Sequence, residues 1–186
     1  MSNAFALLGL PRIAALDDEA LQQAWLTASR GAHPDQPCGD TARAAEINTA
    51  YETLQTPEKR LKHLLELHQV PWRAVPIDDA MMSLFSQLGP ALQGVAAFLK
   101  RKQTATSALA KALLAPDEMR LREQLETLGT TLDAERTTLL EGLPAFDARL
   151  SAGDSAALGD LQILQARLAY YGKWQAQVRE ALLSLM

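Results

Sequence analysis

The sequence predicts an all-α protein, and three observations carry that prediction. Apolar residues make up 48% of the 186 positions and aromatics only 5%, with Ala, Leu and Gln prominent and β-branched residues few. That is a composition of helix formers. Apolar side chains recur at steps of three and four over most of the length, which is the period of one helix face. Gly and Pro fall mainly between these stripes, where they end helices or open connections. The length allows one medium domain or two small ones, each able to bury a core.

The opening element is short, with Phe5, Leu7, Leu8 and Leu10 closed off by Gly9 and Pro11. Asp17 is placed to cap the next helix, and Leu16 to staple onto Leu21 across its first turn. Leu21, Ala24, Trp25 and Ala28 then follow at helical spacing, with Gly31 as the expected end. A polar loop from His33 to Thr41 leads to a helix whose stripe is Ile47, Tyr51 and Leu54. Thr56-Pro57 reads as a cap followed by proline at the first helical position, and Leu61, Leu64, Leu65 and Leu67 supply that helix's apolar side. Gln69 to Asp78, carrying Pro71 and Pro76, is the expected linker.

Beyond the linker the stripes lengthen. Met81, Leu84, Phe85 and Leu88 begin one helix, expected to be interrupted at Gly89-Pro90 and resumed through Phe98 and Leu99. Leu121, Leu125, Leu128, Leu132 and Leu139 mark a second, which Gly142 and Pro144 break or kink. Leu161, Leu164, Leu168, Tyr171, Val178, Leu182 and Leu185 form a third, a seam interrupted at Gln175, with Asp154 and Ser155 as cap candidates. Long amphipathic helices with short connections predict an antiparallel three-helix bundle. The expected organisation is an N-terminal domain over 1–68, a linker over 69–78 and the bundle over 79–186.

The net charge of −4 and pI near 5.4 provide no general basic surface for nucleic acid or anionic lipid, although a local basic patch remains open. One cysteine, Cys38, cannot form an intramolecular disulfide and fits a reducing compartment. No secretory signal or Arg-rich leader is expected from the N-terminal residues, and the longest apolar runs are too short to span a bilayer. A cytoplasmic monomer with no nucleic-acid or membrane partner is expected.

His33-Pro34-Asp35 is the most informative motif. Pro34 restricts His33 to an extended conformation and stiffens the turn, so an imidazole and a carboxylate project at fixed geometry. The tripeptide lies between two amphipathic helices, and the second ends in Ile47-Asn48-Thr49-Ala50-Tyr51-Glu52-Thr53-Leu54, followed by Pro57 and Arg60. This pattern, with the opening Phe5-Ala6-Leu7-Leu8-Gly9-Leu10, resembles the J domain. The resemblance implies an antiparallel helix pair with the loop at its tip. There His33, Pro34 and Asp35, with Arg30 beside them, dock on a DnaK-class chaperone and promote its ATP hydrolysis. A metal hydrolase built on His33 and Asp35 needs further ligands, and the other histidines, His63 and His68, lie about 140° apart around a helix. No phosphate-binding glycine loop, Ser/His/Asp ordering or paired Cys-x-x-Cys motif is present. No enzymatic activity, metal or cofactor is expected.

The passage from this unit directly into a helical bundle, through Arg60-Leu61-Lys62-His63-Leu64-Leu65-Glu66-Leu67-His68, is similar to HscB, the iron–sulfur co-chaperone family, as is a last helix with Tyr170-Tyr171 and Leu182-Leu183. That resemblance implies a bundle that captures an iron–sulfur cluster scaffold protein and a J domain that presents it to an HscA- or DnaK-class chaperone. The scaffold surface is expected at Met81, Met82, Phe85 and Tyr170, with Tyr170 outside the Leu164-Leu168-Tyr171 seam. The pattern is not complete. The helix before the loop offers only Arg30 as a cation, Gln36 follows the motif, and Met81 to Leu92 contains no acid. These departures keep two alternatives open: a J protein with a different client, and a structural adaptor whose J-like module is inactive.

Overall fold

The computed structural model describes residues 3–32 and 41–186. Eight α-helices are present among them: α1 (Ala4–Leu7), α2 (Asp18–Ala32), α3 (Thr41–Leu54), α4 (Pro57–Leu67), α5 (Asp79–Thr104), α6 (Ala108–Glu141), α7 (Leu143–Ser151) and α8 (Ala156–Ser184). The caps explain several of the starts. Asp17 Oδ2 accepts the Ala20 N–H at 2.8 Å, and Asp78 Oδ1 accepts the Met81 N–H at 2.9 Å. Thr56 stands at the cap position of α4, but its hydroxyl makes no capping bond. Gly9, Gln69 and Gly153 close α1, α4 and α7 in the same way, each at positive φ two residues beyond its helix. In each case the next N–H reaches back to a carbonyl of the last turn: Leu10 to Phe5, Val70 to Leu65 and Asp154 to Arg149.

Contacts divide the chain into two compact units. One is Met1–Ala74 with Leu139–Leu168, and the other is Val75–Thr138 with Ala169–Met186. The expected boundaries at 68 and 79 are therefore corrected. Leu143, Leu161, Leu164 and Leu168 share one buried cluster with Phe5, Leu21, Leu54 and Leu61. A seam along α8 reveals that the helix has an apolar face, but not which core that face enters.

In the first unit, Trp25 of α2 packs on Tyr51 of α3 with ring centroids 4.9 Å apart, and its indole N–H donates to Asn48 Oδ1 at 3.0 Å. Buried Arg60 donates to the carbonyls of Leu54 and Ala14, each at 3.0 Å, so one guanidinium joins the end of α3 to the loop before α2. Asp147 of α7 accepts the N–H groups of Ala14 and Ala15 at 2.6 and 2.8 Å, holding the same loop from the other side. The beginning of the expected linker is also fastened. The buried Gln162 amide donates to the Pro71 carbonyl at 3.1 Å and accepts from Arg73 Nε at 2.8 Å.

His63 is buried in α4. Its Nε2 accepts the Ala4 N–H at 3.0 Å, and its ring stacks on Phe5 with centroids 5.9 Å apart, so it anchors α1. Burial lowers its pKa below the usual 6.5, and the nearby Glu66 carboxylate only partly opposes this. As pH falls through 6.5 the unfolded chain takes up a proton that the folded chain resists. This contribution to stability is therefore complete above that pH and is lost below it, until the folded imidazole itself titrates. The urea midpoint is expected to be lower at about pH 5.5 than at about pH 7.5, and His63→Gln should narrow the difference. Equal slopes in the two proteins would place the acid sensitivity elsewhere.

The second unit is an antiparallel bundle of α5, most of α6 and the end of α8. Its pairings run in opposite directions along the chain. Arg122 Nη2 donates to the Leu185 carbonyl at 3.2 Å, and Gln175 Nε2 donates to Asp133 Oδ1. Lys102 of α5 reaches Glu118 of α6 at 3.3 Å. The interruption expected at Gly89-Pro90 does not occur, because α5 continues through Pro90. Pro90 and Ser86, whose carbonyl the proline leaves without its helical donor, both lie on the solvent side, where water can serve that oxygen. Leu88 and Ala91 remain buried on either side.

Candidate functional site

Two regions were expected to carry function. The loop with His33, Pro34 and Asp35 lies outside the described residues, but the helices bracketing it are described. α2 ends at Ala32 and α3 begins at Thr41. Arg30 lies in the last turn of α2 and is exposed.

The second region lies in the bundle unit. Met82 and Phe85 are 50% and 52% exposed on α5, and Tyr170 is 39% exposed on α8. Beneath them lies Trp174, buried, with ring centroids 6.1 Å from Phe85, 5.9 Å from Tyr170 and 5.7 Å from Tyr171. An aromatic pair on two helices is thus held by a shared third ring, and offset or tilted pairs of this kind are attractive beyond their burial. Tyr171 faces the core while its neighbour Tyr170 faces outward.

Met81 is a correction to the expected surface. It is 2% exposed and belongs to the core, because the Asp78 cap fixes the start of α5 and points this position inward. A step of four from Tyr171 leads to Gln175 and passes over Trp174, which the sequence pattern therefore leaves out of the seam. A step of three reaches Trp174, which continues the seam to Val178 without a break. Gln175 instead bonds Asp133. No acid occurs from Met81 to Leu92, and the nearest on α5 is Asp79, exposed one turn before Met82. Among the described residues no three His, Cys, Asp or Glu side chains converge to hold a metal ion, and no helix is long and apolar enough to cross a membrane.

No family model matches the sequence. Curated relatives do match. The chain is 33% identical over 163 residues to a co-chaperone protein HscB homologue from Cupriavidus taiwanensis, covering 83% of this chain and 81% of that one. It is 34% identical over 141 residues to the homologue from Burkholderia vietnamiensis, covering 70% and 77%. Its fold is similar to that of the chaperone HscB from Vibrio cholerae, with a TM-score of 0.59 at 21% identity over 100% of both chains. Human co-chaperone protein HscB gives 0.61 at 15% identity, over 97% of this chain and 82% of that one.

A chain whose described residues are helical, with two helices bracketing a His-Pro-Asp motif in the sequence and a helical bundle beyond them, is a J-domain co-chaperone. Identity over most of both chains narrows the class. The chain belongs to the HscB co-chaperone family.

Proposed function

We propose that this co-chaperone stimulates the ATPase of a DnaK/HscA-class chaperone through His33, Pro34, Asp35 and Arg30, and delivers to it an iron–sulfur cluster scaffold protein held by its bundle. In this reading the chain performs no chemistry of its own. Cluster ligands belong to the scaffold, and hydrolysis in the chaperone drives cluster transfer to acceptors. The observation that carries the client half is the Met82–Phe85–Tyr170 face backed by Trp174. Exposed aromatics on a rigid base are the form of an interface hot spot, and a flexible methionine beside them adapts to a partner's shape. With no acid from Met81 to Leu92, association should be mainly apolar and only weakly salt-dependent.

The test is calorimetric titration of a cluster scaffold into wild type and Tyr170→Ala at low and high salt. Truncating an aromatic anchor typically costs about 2 kcal/mol or more, so Tyr170→Ala is expected to weaken binding more than about tenfold. Unchanged affinity would move the site. Absence of binding by the wild type would leave a J protein with another client. The adaptor reading draws on Arg30 being the only cation on α2, and failure to accelerate any DnaK-class ATPase would favour it.

A further inference from the structure

The first turns of α6 have the composition of a protein interior. Residues 108–116 read Ala-Leu-Ala-Lys-Ala-Leu-Leu-Ala-Pro, with Lys111 the single charge. A helix apolar on every side belongs in a buried setting. Here only one side turns toward the bundle. Ala110 and Leu114 are half-buried, and the first fully buried residue of α6 is Leu121. Leu109 and Leu113, one turn apart, are 71% and 70% exposed. At about 100° per residue, Leu109, Ala112, Leu113 and Pro116 share the outward side, and the row Ala108–Ala112–Ala115 runs beside the leucines.

Charge indicates what covers this surface. No Asp or Glu occurs between Asp79 and Asp117, in a chain whose net charge is −4. The same stretch holds Lys100, Arg101, Lys102 and Lys111. Arg101 and Lys102 reach Asp117 and Glu118 at 2.8 and 3.3 Å and brace the two helices of the hairpin. Lys100 and Lys111 make no ion pair among the described residues, and both are exposed.

We propose that this end of the α5–α6 hairpin is a second docking surface, which receives an amphipathic helix with acidic flanks from a partner protein. The alanine row lets another helix approach to about 8 Å between axes, and the leucines on one side of that row supply the apolar anchor. Lys111 borders the row on the other side, so acidic flanks on the incoming helix meet unpaired cations. A bilayer fits less well, because alanines add little on entering the interface and two leucines with two free cations make a weak anchor. The surface is distinct from the aromatic face, as Phe85 and Arg101 lie about 24 Å apart along α5.

The full chain is titrated with two labelled synthetic helical peptides of about 20 residues, followed by anisotropy. Both carry the same leucine stripe, flanked by glutamates in one and by lysines in the other. The glutamate peptide is expected to bind and the lysine peptide not to. Combined Leu109→Gln and Leu113→Gln should weaken binding about tenfold or more. Ala112→Trp should also weaken it, by blocking close approach while adding apolar area, which a merely sticky surface would not do. Lys111→Glu should reduce both affinity and salt dependence, and Tyr170→Ala should leave binding unchanged. All these positions are exposed, and circular dichroism checks that the variants fold. Equal binding of the two peptides, or full affinity in the double leucine variant, would overturn the proposal. So would binding to phosphatidylglycerol vesicles, but not to the peptide, that is lost in the double leucine variant.

Discussion

Asp35→Ala is expected to reduce stimulation of a DnaK-class ATPase to the basal rate while leaving the helical circular dichroism unchanged. Proline fixes its own φ and restricts the residue before it, so the sequence favours a pre-set backbone next to Asp35 and a lower ordering cost at docking. Removing one member of a charged hydrogen-bonded pair at an interface costs about 2 to 5 kcal/mol, a loss of about thirtyfold or more. With the motif in a polar connection, as the sequence predicts, the substitution should change stability by about 0.5 kcal/mol or less. His33→Gln should act in the same direction. Wild-type stimulation by Asp35→Ala would remove the J-domain mechanism. Lost stimulation together with lost helicity would place the motif in the core rather than in a docking loop.

The second large effect concerns truncation. A fragment of residues 1–74 is expected to be largely unfolded, although a boundary near residue 68 predicts an autonomous domain. The fragment lacks Leu143, Leu161, Leu164 and Leu168, all buried with Phe5, Leu54 and Leu61. Losing the burial of four leucines removes about 6 kcal/mol or more, comparable to the whole stability of a small domain. It also frees the Ala14 and Ala15 N–H groups from Asp147, and Pro71 and Arg73 from Gln162. The check is urea denaturation of the fragment beside the full chain, followed by circular dichroism. A cooperative transition near that of the full chain would show that α7 and α8 only cover a core that stands by itself. A fragment that is unfolded yet stimulates the ATPase would show that the loop acts without its frame.

Much of the fold was legible in the sequence because the responsible interactions are local. The Asp17 cap, the proline at the start of α4 and the Leu21–Trp25 and Leu61–Leu65 stripes all act within one or two turns, whereas the Asp78 cap emerges only in the structure. Errors arose where adjacent positions compete. Met81 and Met82 differ by one residue, and so do Trp174 and Gln175. A pattern with steps of three and four does not say which neighbour turns inward. Pro90 misled for another reason: a proline ends an isolated helix, but flanking buried residues carry α5 across it.

By itself, then, the sequence determined the all-α class, the Asp17 cap, the His33-Pro34-Asp35 motif between two helices and the kinship with HscB, since each rests on neighbouring residues or their spacing. Tertiary structure alone decided that Leu139–Leu168 shares a core with the first 74 residues, that His63 anchors Ala4 from 59 positions away, and that Trp174 holds Phe85 and Tyr170 in one face. The physical reason is common to all three. Burial and hydrogen bonding depend on which surfaces meet across long stretches of chain, and helical periodicity describes a face without naming its partner.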